Sequence, residues 1–408
     1  MKKFNILLIH SLPPKKFRFK GVEDVELLFK NFCSSSNVVE HNFFVKPTEK
    51  MKKFDFDAIV FASTFFDRFI ELKNYKWLIK QYSFIKNKNS FKIGLPQDDY
   101  WCQETRDEWY SENLDMIVSV FDKKQWQILY PKSIENNLKI IRGHTIYLTQ
   151  ENFKKLEFIS FEKRKYDIVY RTVGYPFFPN KFGMMKSQIG EIFYKKHKNN
   201  FNLNVSNKEK DLIFGDKWIS FLSNSKSVLG SNSGSSVIVR NHKHMQELLA
   251  YKKKYAKYEL GAFENDFFKK NDRGYELSDI SPRNIEAAIT QTLQVLINGE
   301  YGGILKKGKD YFSLNEDLSN TEELIQLLND SKKIEKITKS CYKTIKNSKT
   351  LNSDILIKKI EKHIAEFVKK KDKRSLTVYK KSIKENFQLY LFTVKFYLKY
   401  YVKKALLK

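Results

Sequence analysis

The sequence has only three cysteines, Cys33, Cys102 and Cys341, widely separated and odd in number. They make neither a disulfide framework nor a metal-ligand spacing, and such sparing use fits a reducing compartment, so a cytoplasmic setting is expected. Long apolar runs are missing too. None approaches the ~20 residues that a membrane-spanning helix requires. The stretch Phe4-Asn-Ile-Leu-Leu-Ile-His10 is too short for a signal peptide and reads as a first strand. The pair His242-Lys-His244 has no further ligands at workable spacing, so no metal is expected. Acidic side chains are few beside basic ones, 47 against 75, a net charge of +28. That balance suits an anionic partner: nucleic acid, anionic lipid or a phosphorylated substrate. The plainer reading is a generally basic solvated surface.

What is present is enough for real cores. A hydrophobic share of 41% over 408 residues suits two medium domains. In the first half, short apolar runs recur at Ile6–Ile9, Ala58–Ala62, Phe91–Leu95 and Met116–Phe121, separated by charged and aromatic segments. They predict alternating strands and helices, hence a parallel α/β sheet. Ligands of such sheets lie beyond the carboxyl ends of the strands, which singles out His10-Ser11 and Pro96-Gln-Asp-Asp-Tyr-Trp101. A histidine at a strand end is usually surface. A polar, basic stretch from Thr149 to Lys165 is the linker candidate. Tyr166–Tyr170 then reads as a strand, with Arg171 and Gly174 after it, and Lys186-Ser-Gln-Ile-Gly-Glu191 as the opening of a helix. Ser225–Leu229 reads as a strand followed by Gly230-Ser-Asn-Ser-Gly-Ser-Ser236. This Gly/Ser loop lacks both standard phosphate-loop patterns and by itself is an ordinary turn.

The most informative stretch is Ser278-Asp-Ile-Ser-Pro-Arg-Asn-Ile-Glu286. Ser281 is a good N-cap, and Pro282 fits the first helical position. Ile285, Ala288 and Ile289 recur at helical spacing toward a core, while Arg283 and Glu286 share another face. A helix N-terminus attracts phosphate, an arginine on its first turn strengthens that attraction, and a glutamate one turn on can accept from ribose hydroxyls. The plainer reading is a capped helix with a surface ion pair. Strands at Leu293–Ile297 and Phe312–Leu314 and a helix at Thr321–Leu328 complete the second half.

Ser-Pro-Arg-Asn-Ile-Glu-Ala-Ala, Thr-Leu-Gln-Val-Leu and Gly-Glu-Tyr-Gly-Gly-Ile-Leu-Lys resemble the donor-binding signature of bacterial glycosyltransferases with the GT-B fold. The nearest group is the spore-coat-type, glycosyltransferase family 1-like branch of surface-polysaccharide enzymes, over roughly residues 90–320. The resemblance implies an α/β fold of two Rossmann-like domains facing across a cleft, with a basic C-terminal helical extension. Residues 1–155 would form the acceptor domain, 160–345 the donor domain and 350–408 the tail. It implies donor contacts from Arg171, Gly174, Lys186, Ser233, Gly234, Ser235, Ser281, Arg283 and Glu286. Leu95-Pro-Gln-Asp-Asp-Tyr100 also resembles a segment of that group, so Asp98 or Asp99 becomes a candidate general base or sugar ligand; the sequence does not choose between them. Asp55-Phe-Asp57 spells the D-x-D of metal-dependent sugar transferases but precedes its strand and is read as structural. Relatives with a retaining mechanism carry two glutamates separated by seven residues. Glu286 matches the second, but Ser278 stands at the first, which leaves the stereochemical outcome open.

The implied partners are a nucleotide-sugar donor and a glycan or lipid-linked acceptor, with no metal cofactor and no nucleic acid. Beyond residue 350 lysines alternate with aromatics through to Lys408, as in helices that lie on anionic membranes. Such a tail would place the protein at the inner face of the cell membrane. Its alternative is a helix packed back on the body with lysines outward. The rival reading of the whole chain is a non-catalytic basic protein that binds anionic lipid or nucleic acid.

Overall fold

The computed structural model describes residues 3–18, 20–148, 158–172, 180–213, 215–254, 262–371 and 377–406. The chain divides into two units, Met1–Gly143 with Arg240–Met245 and Ser353–Lys408, and His144–Val239 with Gln246–Asn352. Each is α/β, as the sequence predicts. Part of the linker stretch, residues 149–157, lies outside the described residues.

The first unit holds a parallel sheet of β1 (Asn5–His10), β2 (Asn37–Asn42), β3 (Ala58–Phe61), β4 (Phe91–Gly94), β5 (Met116–Ser119) and β6 (Lys139–Arg142). Their order is β2-β1-β3-β4-β5-β6. Every residue of β1, β3 and β5 is buried, which is why these strands read as continuous apolar runs. β2 and β6 are the edges, and their mixed sequences carry no such signal. Asp57 sits before β3, buried, with its carboxylate accepting from the Asn5 N–H at 2.8 Å, so it is structural as expected. Helix Ser353–Lys369 packs against the first unit, near β4 and the Leu28–Phe32 helix. Its buried Leu356, Ile357, Ile360 and Ile364 recur at helical spacing and explain why it returns there.

The second unit holds β7 (Tyr166–Arg171), β8 (Leu203–Ser206), β9 (Ser225–Gly230), β12 (Leu293–Ile297) and β13 (Phe312–Leu314), in the order β13-β12-β9-β7-β8. A small antiparallel pair, β10 (Ser235–Val237) with β11 (Arg273–Leu277), stands beside it. The core joins Ile168, Tyr170, Ile189, Phe193, Leu229, Val295 and Leu324. In both main sheets the second strand in sequence lies on one side of the first and the later strands on the other. The direction of winding therefore reverses at β1/β3 and at β7/β9, and crevices at such reversals are where open α/β sheets bind ligands.

Candidate functional site

In the second unit the reversal between β7 and β9 is overhung by the helix Pro282–Ile289. Ser281, just before it, forms the expected cap: its N–H and its hydroxyl both donate to the Asn284 side-chain oxygen, at 2.9 and 2.7 Å. Pro282 occupies the first turn. Ile285 and Ala288 are buried with Leu296, so the apolar face is held on the sheet as the spacing requires.

The Arg283 guanidinium reaches the carboxyl end of β7. It lies 4.8 Å from the centre of the Tyr170 ring, and Nη2 donates to the Arg171 carbonyl. Its Nε is buried and has no hydrogen-bond partner among the described residues. A buried donor left unpaired costs free energy, and an anion in the crevice would relieve it. Glu286 accepts from the Trp218 indole N–H at 2.7 Å, which fixes the carboxylate one turn along from the arginine. The turn before the helix is braced as well. Buried Asp279 is 3.0 Å from His144 Nδ1 and accepts from the Thr145 N–H at 2.8 Å.

The other expected donor residues fall in several places. Ser233 lies at this turn, its hydroxyl donating to the Asp279 carbonyl at 2.8 Å. Gly234 has φ +107°, and a Cβ there would stand 1.9 Å from the Leu277 carbonyl oxygen, so no side chain fits. Ser235 is not on the loop. It begins β10, fully buried, and its hydroxyl bonds the Val237 carbonyl at 2.8 Å. Arg171 is turned inward: its guanidinium donates to the Asp211, Tyr170 and Asn204 carbonyls at 3.2, 2.9 and 2.7 Å and to Asn204 Oδ1. Those bonds tie β7 to β8 and the following turn. It lies in the wall of a polar cavity of about 360 Å³ shared with Ser187, Asn204, Ser206 and Lys208. Lys186 does not open its helix, which begins at Lys181 behind the Asn180 cap. Asn180 takes the cap because its side chain accepts from the Gly183 N–H at 3.1 Å. Gly174 lies outside the described residues.

In the first unit the two candidate aspartates separate. Asp99 is buried, accepts from Tyr130 and Tyr110 hydroxyls at 2.5 and 2.7 Å, and lies 3.4 Å from the equally buried Arg106. Asp98 is only partly buried and accepts from the Tyr100 hydroxyl at 2.6 Å. Asp67, which follows β3 at the same edge of the sheet, is a third carboxylate. The residue is exposed, yet crowding that takes its carboxyl from water and then the Asp98 charge push that group up to about 7, against the lowering effect of Arg106. Sequence reasoning passed over Asp67, yet a signal existed: the segment after the run Ala58–Ala62 ends a strand as surely as Pro96–Trp101 does. His10 is not a surface histidine. It is buried, its Nδ1 accepts from the Leu12 N–H at 3.1 Å, and burial lowers its pKa to about 4.

No protein-family model matches the sequence, and no curated protein does. The fold is similar to solved structures of glycosyltransferases. The DNA-modifying β-glucosyltransferase shares 12% identity at a TM-score of 0.49, over 88% of this chain and 99% of that one. Anabaena HepE, determined with UDP and glucose, shares 9% at a TM-score of 0.49, over 88% and 99%. The pneumococcal O-GlcNAc transferase GtfA, determined with UDP and GlcNAc, shares 9% at 0.40, over 76% of this chain. The present chain spans only 57% of the length of that transferase.

Proposed function

We propose that the protein is a nucleotide-sugar-dependent glycosyltransferase that adds a sugar to a surface glycan or glycoconjugate acceptor. The observation that carries this reading is Arg283, on the first turn of a capped helix, brought to the β7/β9 reversal with its Nε buried and without a partner among the described residues. The second unit binds the donor. Arg283 and the helix N-terminus hold the diphosphate and offset the charge that grows on it as the sugar leaves. Glu286, oriented by Trp218, accepts from the ribose. Ser233 and Gly234 shape the adjoining turn, and Lys186 and Ser281 belong to the surrounding shell. The first unit supplies the acceptor side, where the acceptor hydroxyl attacks the anomeric carbon and passes its proton to a carboxylate.

Asp67 suits that last role better than Asp99, which is locked between tyrosines and Arg106. A base works only when ionised, so kcat/KM is expected to rise with pH through about 7 and then level. Asp67→Asn should remove that limb and lower the plateau, whereas Asp98→Asn should shift the limb to lower pH by removing a like charge. The sign for stability is separate. A carboxyl with a raised folded-state pKa destabilises the fold as pH climbs from the unfolded value through the folded one. Asp67→Asn should therefore melt higher than wild type at pH 8 and alike near pH 3.5. A limb that persists unchanged in Asp67→Asn would assign the base elsewhere.

A thermal-shift series with nucleoside diphosphates tests the donor site directly. Ligand that binds only the native state raises its stability with concentration. A rise of several degrees at millimolar uridine or guanosine diphosphate is expected, with weaker effects from the monophosphates. The rival, a non-catalytic basic binding protein, predicts no such selectivity and an affinity that collapses with salt.

A further inference from the structure

The C-terminal helix Ile383–Leu406 is fastened to the first unit by one face only. Glu385 is buried at its start, accepting from the Tyr379 hydroxyl, from Thr48 Oγ1 at 3.0 Å and from the Ser382 N–H at 2.6 Å. Further along, the Phe392 ring stacks on Phe44 at 6.0 Å, and Phe396, Tyr397 and Tyr400 surround Phe17 at 5.3, 5.2 and 4.5 Å. The helix thus packs back on the body, but what it turns away is not simply lysine. Ile383, Phe387, Tyr390, Leu398 and Tyr401 recur at helical spacing and are between 50% and 89% exposed. Of the 18 large apolar side chains exposed among the described residues, nine belong to this helix. Lys384, Lys395 and Lys399 are exposed alongside, and the helix carries a single acidic residue, the buried Glu385.

Beneath the helix is a cavity of about 330 Å³ at the carboxyl ends of β1 and β2. Lys15, Lys16, Arg18 and Lys381 line it, with Phe392 and Tyr397 of the helix as its apolar wall. Glu40 is its one carboxylate among the described residues and is paired with Lys30 at 2.8 Å, while Arg18 is paired with Glu23 at 2.7 Å. Lys15 and Lys16 are exposed. The cavity therefore has a surplus of positive charge next to an apolar stripe that points into solvent.

We propose that the first unit docks on an anionic bilayer through the outer stripe of this helix, with a lipid headgroup phosphate entering the cavity beside Lys15, Lys16 and Lys381. The chemistry selects that occupant. An amphipathic helix with aromatics on one face and lysines beside them lies in the interface, its rings among the headgroups and its lysines over the lipid charge. No helix among the described residues is long and apolar enough to cross a membrane, so the contact is along the surface. A second copy of the chain fits poorly, because pairing two stripes would bring their flanking lysines together. The proposal is independent of the sugar-transfer reading.

Sedimentation of the full-length protein with vesicles tests it. Phosphatidylcholine vesicles with a third phosphatidylglycerol should bind the protein at least tenfold more tightly than phosphatidylcholine alone, with the difference shrinking at 0.5 M salt. The triple variant F387S/Y390S/L398S should lose binding tenfold or more, yet melt like wild type, because all three side chains are exposed. Lys15→Glu with Lys16→Glu should weaken binding to the anionic vesicles only. Both variants should keep wild-type thermal shifts with nucleoside diphosphate, which separates this surface from the donor site. Equal binding to neutral and anionic vesicles would overturn the proposal. So would a stripe that mediates concentration-dependent dimers, or one that binds a single-stranded oligonucleotide, without vesicle binding. Full inhibition of vesicle binding by millimolar glycerol phosphate would reassign the cavity to a free phosphate.

Discussion

Arg283→Ala is expected to weaken nucleoside diphosphate binding by roughly ten- to a hundredfold, the equivalent of a charge-assisted hydrogen bond of about 1.5–3 kcal/mol. The fold should survive. In the free protein the guanidinium has its contact with Tyr170 and its bond to the Arg171 carbonyl, so the variant also loses about 1 kcal/mol of stability. Arg283→Lys keeps the charge but not the fork, and should recover only part of the affinity. Glu286→Ala should weaken nucleoside diphosphate but not free pyrophosphate, since its partner is the ribose. Glu286→Gln should be milder, because an amide oxygen can still accept from Trp218 and from a hydroxyl. A mere surface ion pair would instead be worth at most about 1 kcal/mol of stability and would leave ligand binding unchanged. Calorimetric titration of the two alanine variants decides. Wild-type affinity in both would place the donor site elsewhere.

Asp99→Ala should destabilise the first unit by about 3–5 kcal/mol, because it takes away the buried carboxylate that lies 3.4 Å from the buried Arg106 guanidinium. Two tyrosine hydroxyls lose their acceptor in the same step. Asp99→Asn should cost less, since the amide oxygen still accepts from one of them. Asp98→Ala, at a partly exposed site, should move the denaturation midpoint little. Urea unfolding with an unchanged slope reads these differences as stability. If Asp99→Ala unfolds like wild type and abolishes transfer, Asp99 acts in catalysis after all.

The pair Asp98-Asp99 shows where sequence reading stopped. Adjacent residues leaving a strand are equivalent on paper. The backbone sends one toward solvent and the other under Tyr110 and Tyr130, 11 and 31 residues further on, which no local pattern connects to it. Arg171 makes the same point: an arginine after a strand looks like an anion ligand until the carbonyls of Tyr170, Asn204 and Asp211 are found around it. Lys186 and Ser235 were displaced by a shift in element boundaries. The helix started earlier because Asn180 capped it, and the Gly/Ser loop ended earlier because Ser235 paired with Leu277.

The sequence by itself determined the interior strands, Ile6–Ile9, Ala58–Ala62, Met116–Phe121 and Leu293–Ile297 among them, because a strand buried on both faces is apolar at most of its positions. It also determined the Pro282–Ile289 helix, since cap, first-position proline and apolar spacing are all local. It did not determine the edge strands β2, β6 and β8, whose burial is partial and whose pattern is correspondingly mixed. Only the tertiary structure decided which charged groups remain available for chemistry. That availability depends on hydrogen-bond partners supplied from distant segments, as with Arg171, Asp99 and Arg283. It decided the C-terminal helix as well: lysines and aromatics alternate along the chain, but packing against Phe17 and Phe44 selects which of them face water.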